Sequence, residues 1–250
     1  MLYLIRIIVL IIFTGTFVQS AELKMFYQHI AISSIQLADG ARLDQFYSRL
    51  HLTQDIDWNT SLITSPTAQK YFELRSLILK KKLEQLEYYW LQQGETGLTQ
   101  SVRQLKNELF KISVAGRIKA ELDPDIIRLQ VEFNRPLIGH YSLYTAPHHE
   151  FLYLQGLINA KSIITLQSGW SIEQYVNNTT RLVGADESMG YLIEGNGQWK
   201  QVPLAYWNKK HIEPAPGATL FIGFEPTLLP DEMSDVNTLI ADYIANRIPQ

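Results

Sequence analysis

The sequence predicts a mixed α+β protein with two small sheets, a long helical hairpin and a terminal helix. Three observations carry that prediction. Between Glu150 and Phe224 an apolar strand, a second short strand, a small helix, a hairpin and a closing strand follow one another. Strand, strand and helix patterning also opens the chain after Ala21, and then breaks off. From Thr67 to Gln92 no Gly or Pro interrupts a helical apolar pattern. A small mixed sheet wrapped over one helix is a β-grasp, so the expectation is two such domains in tandem, the first one interrupted.

The second domain, residues 148–229, is the clearer. Phe151-Leu152-Tyr153-Leu154 is a continuous apolar strand that stops at Gly156. Ile163 to Leu166 is a second short apolar run, and Ser171 to Val176 is the small helix. Tyr191 to Glu194, the turn Gly195-Asn196-Gly197 and Gln198 to Val202 form a hairpin. Pro216-Gly217 turns the chain into the closing strand Thr219 to Phe224.

The first domain, residues 21–147, opens with strands over Leu23–His29 and Ile30–Ile35. Leu43, Phe46, Tyr47 and Leu50 then mark a short helix. An insert spanning about residues 65–112 follows. Ser65-Pro66 places a capping hydroxyl before a proline at the first helical position. Leu79, Leu83, Leu86 and Trp90 share one face of the first helix, and Gly94 ends it. Leu98, Val102, Leu105, Leu109 and Ile112 line the second helix. The first helix has more aromatic surface than one partner covers, so the hairpin is expected to lean on the second domain. Burial is the expected fate of Tyr88, Tyr89 and Trp90. Strand-like sequence resumes at Ser113–Ile118, and Ile127–Glu132 alternates as a strand does. Asp231 to Ile248, in the segment 230–250, is an amphipathic helix with little positive charge, expected to dock on the second domain.

Composition bounds the function. Hydrophobic residues make up 46% and charged residues 19%, which a packed core requires. A net charge of -3 without a basic block gives no footprint for nucleic acid. Residues 1–20 read as a secretory signal peptide: Arg6, an apolar run Ile7–Phe13, then small residues before Ala21. The run is shorter than the roughly 20 residues a membrane span needs, so cleavage and a periplasmic location are expected. No cysteine is present, which excludes lipidation at a thiol, disulfides and thiolate metal sites.

Candidate chemistry is sparse. His148-His149-Glu150 is the densest run of metal-ligating types, but adjacent side chains on an extended chain diverge, and no metal or other cofactor is expected. Asp123/Asp125 and Asp186/Glu187 fit capping and turn bonding better than a glycosidase pair. No nucleophile elbow, phosphate loop or dinucleotide fingerprint occurs. Trp199 and Trp207 border turns and are the aromatic candidates for stacking on sugar.

A set of motifs in fixed order goes further. They are Gly116-Arg117 followed by Leu122-Asp123-Pro124-Asp125; Asn134-Arg135-Pro136-Leu137 with Gly139 and Tyr141; Tyr153-Leu154-Gln155-Gly156; Ala185-Asp186 with Gly190-Tyr191; Trp207-Asn208; Pro214 to Ala218; and Asp235-Val236-Asn237 ending at Arg247-Ile248-Pro249. In these the chain resembles the GfcC-like capsule and exopolysaccharide biosynthesis family of periplasmic proteins. The resemblance implies tandem β-grasp domains, a hairpin inserted in the first, and a C-terminal amphipathic helix. It implies a non-enzymatic role in building or exporting a surface polysaccharide, with the outer-membrane export machinery or the glycan as partner. It also carries the family's junction arginine onto Arg117. That arginine has two readings, a planar donor to a glycan or partner, or a pin between domains. The other function classes consistent with the sequence are a polysaccharide-modifying hydrolase or lyase, and a free-standing carbohydrate-binding module. No nucleic-acid partner and no stable membrane insertion are expected.

Overall fold

The computed structural model describes residues 20–50, 55–159, 162–177, 179–205 and 210–250. The expected leader lies outside these residues apart from Ser20. Strand β1 (Ser20–Tyr27) turns through Gln28 and His29 into β2 (Ile30–Ala38). Both turn residues have positive φ, 47° and 65°, a region that suits Gly or Asn better. Helix α1 (Leu43–Tyr47) and the short strand β3 (Leu62–Thr64) follow.

Helix α2 (Pro66–Gln92) starts where Ser65 Oγ accepts the Ala68 amide at 3.3 Å. Gly94, at φ 76°, reverses the chain into α3 (Thr96–Leu109). Glu87 fastens the two helices, accepting from Arg103 Nε at 2.6 Å and Lys106 Nζ at 2.9 Å. Their apolar stripes meet along Leu79, Leu83, Leu86, Val102 and Leu105.

Two strand expectations fail in the next segment. Residues 113–118 run extended without joining a sheet; they make one bridge, Val114 to Arg247, and the Ile118 amide donates to Ile63 O at 2.8 Å. Over Ile127–Glu132 the structure has the end of helix α4 (Pro124–Leu129) and a turn, not a strand. Asp123 caps that helix by accepting the Asp125 amide at 2.8 Å, and Pro124 fixes its first turn. These start signals outweigh a short alternation in which only Ile127 is buried. Strand β4 (His140–Thr145) then completes a sheet of order β2-β1-β4-β3, with β1 and β4 parallel. Its core faces one way, onto Leu43, Phe46, Tyr47 and Ile127.

The second sheet takes up β5 (Phe151–Gly156), β7 (Ile163–Thr165), β9 (Met189–Ile193), β10 (Trp199–Pro203) and β11 (Thr219–Ile222). Its order is β10-β9-β11-β5-β7, again with a parallel central pair, β11 and β5. A two-residue ribbon, β6 (Ile158–Asn159) with β8 (Thr180–Arg181), sits beside it. Helix α5 (Ile172–Asn177) packs on one face against Leu152, Leu154, Leu220 and Ile222. The helical hairpin and the C-terminal helix pack on the other, against Tyr191, Ile193 and Phe221.

The C-terminal helix begins later than its sequence pattern implies. Asp231–Met233 forms a single tight turn, and α6 spans Val236–Ile244. Asn237 is buried and bonds the Phe224 backbone twice, accepting its amide at 2.8 Å and donating to its carbonyl at 2.7 Å. Of the three aromatics expected to be buried on α2, only Trp90 is, against the Phe224 ring at 5.3 Å. Tyr88 and Tyr89 are 64% and 42% exposed. Successive helix residues step about 100° around the axis, so one of three consecutive positions faces a given neighbour.

Candidate functional site

The two sheets meet around Arg117. Four separate pieces of chain converge there: the end of the loop before β3, the extended segment after α3, the β9–β10 turn, and the tail after α6. The Arg117 guanidinium donates to three backbone carbonyls: from Nη1 to Ser61 O at 2.8 Å, from Nε to Ala245 O at 2.9 Å, and from Nη2 to Arg247 O at 3.3 Å. Its own amide donates to Asn246 Oδ1 at 2.7 Å. A planar fork of fixed donors suits this task, because one side chain reaches three carbonyls on two segments. Burial pushes the Arg117 guanidinium down to about 10, so it remains a cation at neutral pH. The β9–β10 turn closes over it. Gly197 has φ 82°, and a Cβ there would come within 2.6 Å of Arg117 Cδ, so both backbone conformation and space require glycine.

Arg247 is the second cation of the junction. Its Cζ lies 4.0 Å from the Tyr153 ring centroid. Its Nε and Nη2 are buried with no hydrogen-bond partner among the described residues. Burial pushes this guanidinium down and the Tyr153 hydroxyl up, while the two groups favour each other's charged form. A cavity of about 40 Å³ lies between the arginines, bordered also by Asp57 and His149. That space admits water or the oxygens of a small anionic group, not a sugar ring.

On the other side of Arg117 lies a cleft of about 720 Å³ between α2, α6 and the β9–β10 hairpin. Its walls are tied together by one hydrogen-bonded series. Trp199 Nε1 donates to Asp242 Oδ1 at 2.9 Å. Asp242 Oδ2 accepts from Arg75 Nη2 at 2.7 Å, and Arg75 Nη1 donates to Tyr71 Oη at 3.3 Å. Two aromatic rings are thereby oriented at the mouth, with Gln198 and Lys119 as further polar lining. The volume falls in the range of small-molecule sites, about 300–1,000 Å³.

Of the residues singled out in the sequence, the structure brings Arg117 and Trp199 to this one cleft. Trp207 lies outside the described residues. His148 and His149 turn to different partners, Asp57 at 3.7 Å and Gln250 O at 2.9 Å. Among the described residues, no three His, Cys, Asp or Glu side chains form a group able to hold a metal ion. Asp123 is a helix cap, and Asp186 is buried in a turn where Oδ1 accepts the amides of Ser188 and Met189. Tyr71, Arg75 and Asp242 escaped the sequence reading as site residues, and Arg247 entered it only as part of a family motif. Arg75 and Asp242 are 167 positions apart, and no local pattern signals such a pair.

Comparison with known proteins assigns the family. Residues 21–148 match the family model described as Capsule biosynthesis GfcC, N-terminal, and residues 161–249 match Capsule biosynthesis GfcC C-terminal. The Escherichia coli (strain K12) protein described as uncharacterized protein YjbG is 32% identical over 150 residues. That match covers 60% of this chain and 61% of the relative, so it spans under two thirds of the relative's length. The two models together take in the first sheet, the helical hairpin, α6 and the second sheet apart from β5, and the chain belongs to the GfcC capsule-biosynthesis family.

Proposed function

We propose that this protein is a non-catalytic periplasmic factor in capsule or exopolysaccharide assembly or export, and that the cleft beside Arg117 binds the glycan. The observation that carries the reading is the series Tyr71–Arg75–Asp242–Trp199. Sugars present flat C–H faces that stack on aromatic rings and hydroxyls that bond planar donors. A cleft with two held rings, a guanidinium and an amide offers both. Arg117 keeps the walls in register and lines the floor. The strand orders, each with a parallel central pair beside a hairpin, support tandem β-grasp domains, the first carrying the helical hairpin as an insert. The apolar segment before Ala21 supports export from the cytoplasm. Structural roles for Asp123 and Asp186 support a binding protein over a hydrolase.

The test is titration of oligosaccharides, cut from the polysaccharide of the producing cell, into the purified protein, followed by isothermal titration calorimetry. Saturable binding is expected, weakened at least tenfold in Trp199→Ala, a variant that loses some stability but keeps the native circular dichroism. Binding that Trp199→Ala leaves intact would move the glycan elsewhere. No binding, together with cross-linking of the cleft to an outer-membrane export protein in cells, would make that protein the partner. Chain cleavage or chemical change of the polysaccharide would overturn the non-catalytic assignment.

A further inference from the structure

Among the described residues, Arg75, Arg103 and Arg128 each pair with a carboxylate. Arg117 and Arg247 are far more enclosed, and no carboxylate balances either of them. Three carbonyls satisfy Arg117. Arg247 lacks such partners: its Nε and Nη2 are enclosed and have no acceptor among the described residues. The Tyr153 ring, 4.0 Å from Cζ, attracts the charge but accepts neither hydrogen. A buried cation in that state costs stability, and an apolar side chain of similar volume would pack there at less cost.

The two nitrogens without acceptors belong to one edge of the guanidinium. Nε–H and Nη2–H run parallel in its plane, the arrangement that takes both oxygens of a carboxylate. The cavity of about 40 Å³ that Arg247 borders with Arg117 has about three times the room one water needs, enough for the carbon and two oxygens of that group. Aromatic rings border it: His149 stacks on Phe151 at 4.8 Å, and Phe151 meets Tyr153 edge-on at 4.9 Å. The acids at its border have other partners. Asp57 accepts the Asn59 amide at 3.1 Å and lies 3.7 Å from the His148 ring, and Glu194 lies 3.7 Å from the Lys200 ammonium. With Lys200 included, three fixed cations meet two acids, so the surroundings keep a net positive charge. We propose that this cavity is a carboxylate-binding site, with Arg247 as its bidentate anchor and Arg117 as its second positive charge. The ligand is a small free carboxylate, or an acidic sugar whose carboxylate enters while its ring rests against His149 and Phe151. The inference does not rest on the glycan cleft, which Arg247 does not line.

The test is calorimetric titration of the full chain with sodium acetate and with sodium glucuronate, against the methyl ester of glucuronate and sodium chloride at equal ionic strength. Saturable binding of a carboxylate is expected, and none of the ester or chloride. Arg247→Met should weaken binding by about tenfold or more, as loss of a charge-assisted pair does. Without carboxylate the same variant should be no less stable to urea, because what it removes is an unpartnered cation. Arg247→Lys keeps the charge but not the edge, and should also bind more weakly. In heteronuclear NMR spectra the Arg247 Nε–H signal, identified by its loss in Arg247→Lys, should move as carboxylate is added. That signal and the lysine variant decide the matter if Arg247→Met fails to fold. Acetate bound at least as tightly as glucuronate makes a small free carboxylate the occupant, and tighter binding of glucuronate makes it an acidic sugar; both support the site. No saturable binding of either, binding indifferent to the Arg247 variants, an unmoved Nε–H signal, or equal binding of the ester would each overturn the proposal.

Discussion

The two sheets share an order of strands but not a degree of cover. In the first, β1 alternates: Ala21, Leu23 and Met25 are buried, and Lys24 between them is exposed. One face holds the core, and the other carries Glu22, Lys24 and His140. In the second, every residue of β11 is buried, because α5 covers one face and the hairpin with α6 covers the other. A strand with two dry faces is apolar throughout, and one with a single dry face is apolar at every second position. The inserted hairpin thus serves the second sheet more than the sheet it interrupts. It supplies a wall that a single-sheet domain of this size lacks, and it encloses α6 against that wall.

The sharpest way to break this comparison is to remove a side chain from the doubly covered sheet. Phe221→Ala empties a fully buried position in contact with Tyr191. The expected loss is about 3–5 kcal/mol of unfolding free energy in urea. Hairpin and α6 signals should melt with the second sheet, and melting of that sheet alone would refute the shared core. Arg117→Ala acts between the two sheets. It leaves the carbonyls of Ser61 and Ala245 without their donor, at an expected cost of about 2–3 kcal/mol by the same assay. Arg117→Lys should recover only part, since an ammonium cannot reach all three carbonyls as a planar fork does. An unchanged urea midpoint in Arg117→Ala would free the residue from its structural role. The smallest effect is on the first sheet and has the opposite sign. His29→Gly relieves a left-handed residue in the β1–β2 turn and is expected to stabilise by about 0.5–1 kcal/mol. Destabilisation there would mean that the imidazole makes a contact outweighing backbone strain.

The same contrast explains what the sequence disclosed. The doubly covered strands stand out as unbroken apolar runs, so β5, β9 and β11 are legible within a few residues. Helix α2 is legible because Ser65-Pro66 and Gly94 mark both ends. The singly covered sheet is harder. Strand β3 is three residues long and exists through its pairing with β4, which lies nearly 80 positions away. Residues 127–132 alternate like a strand, yet Asp123 and Pro124 commit the segment to a helix. At the site, Trp199 is visible as a turn-flanking aromatic, and Arg117 through family motifs. The residues that orient them, Arg75 and Asp242, meet only because α6 docks beside α2. Tyr88 and Tyr89 look like core in the sequence because a periodic pattern reports apolar faces without saying what covers them.

Native-state hydrogen exchange reports most directly on whether the hairpin, α6 and the second sheet are one cooperative unit. Amides of Val236–Ile244 and of Thr219–Ile222 should exchange through the same opening, with equal protection and equal dependence on denaturant. Exchange of the α6 amides through a cheaper opening that leaves the strand protected would contradict the account.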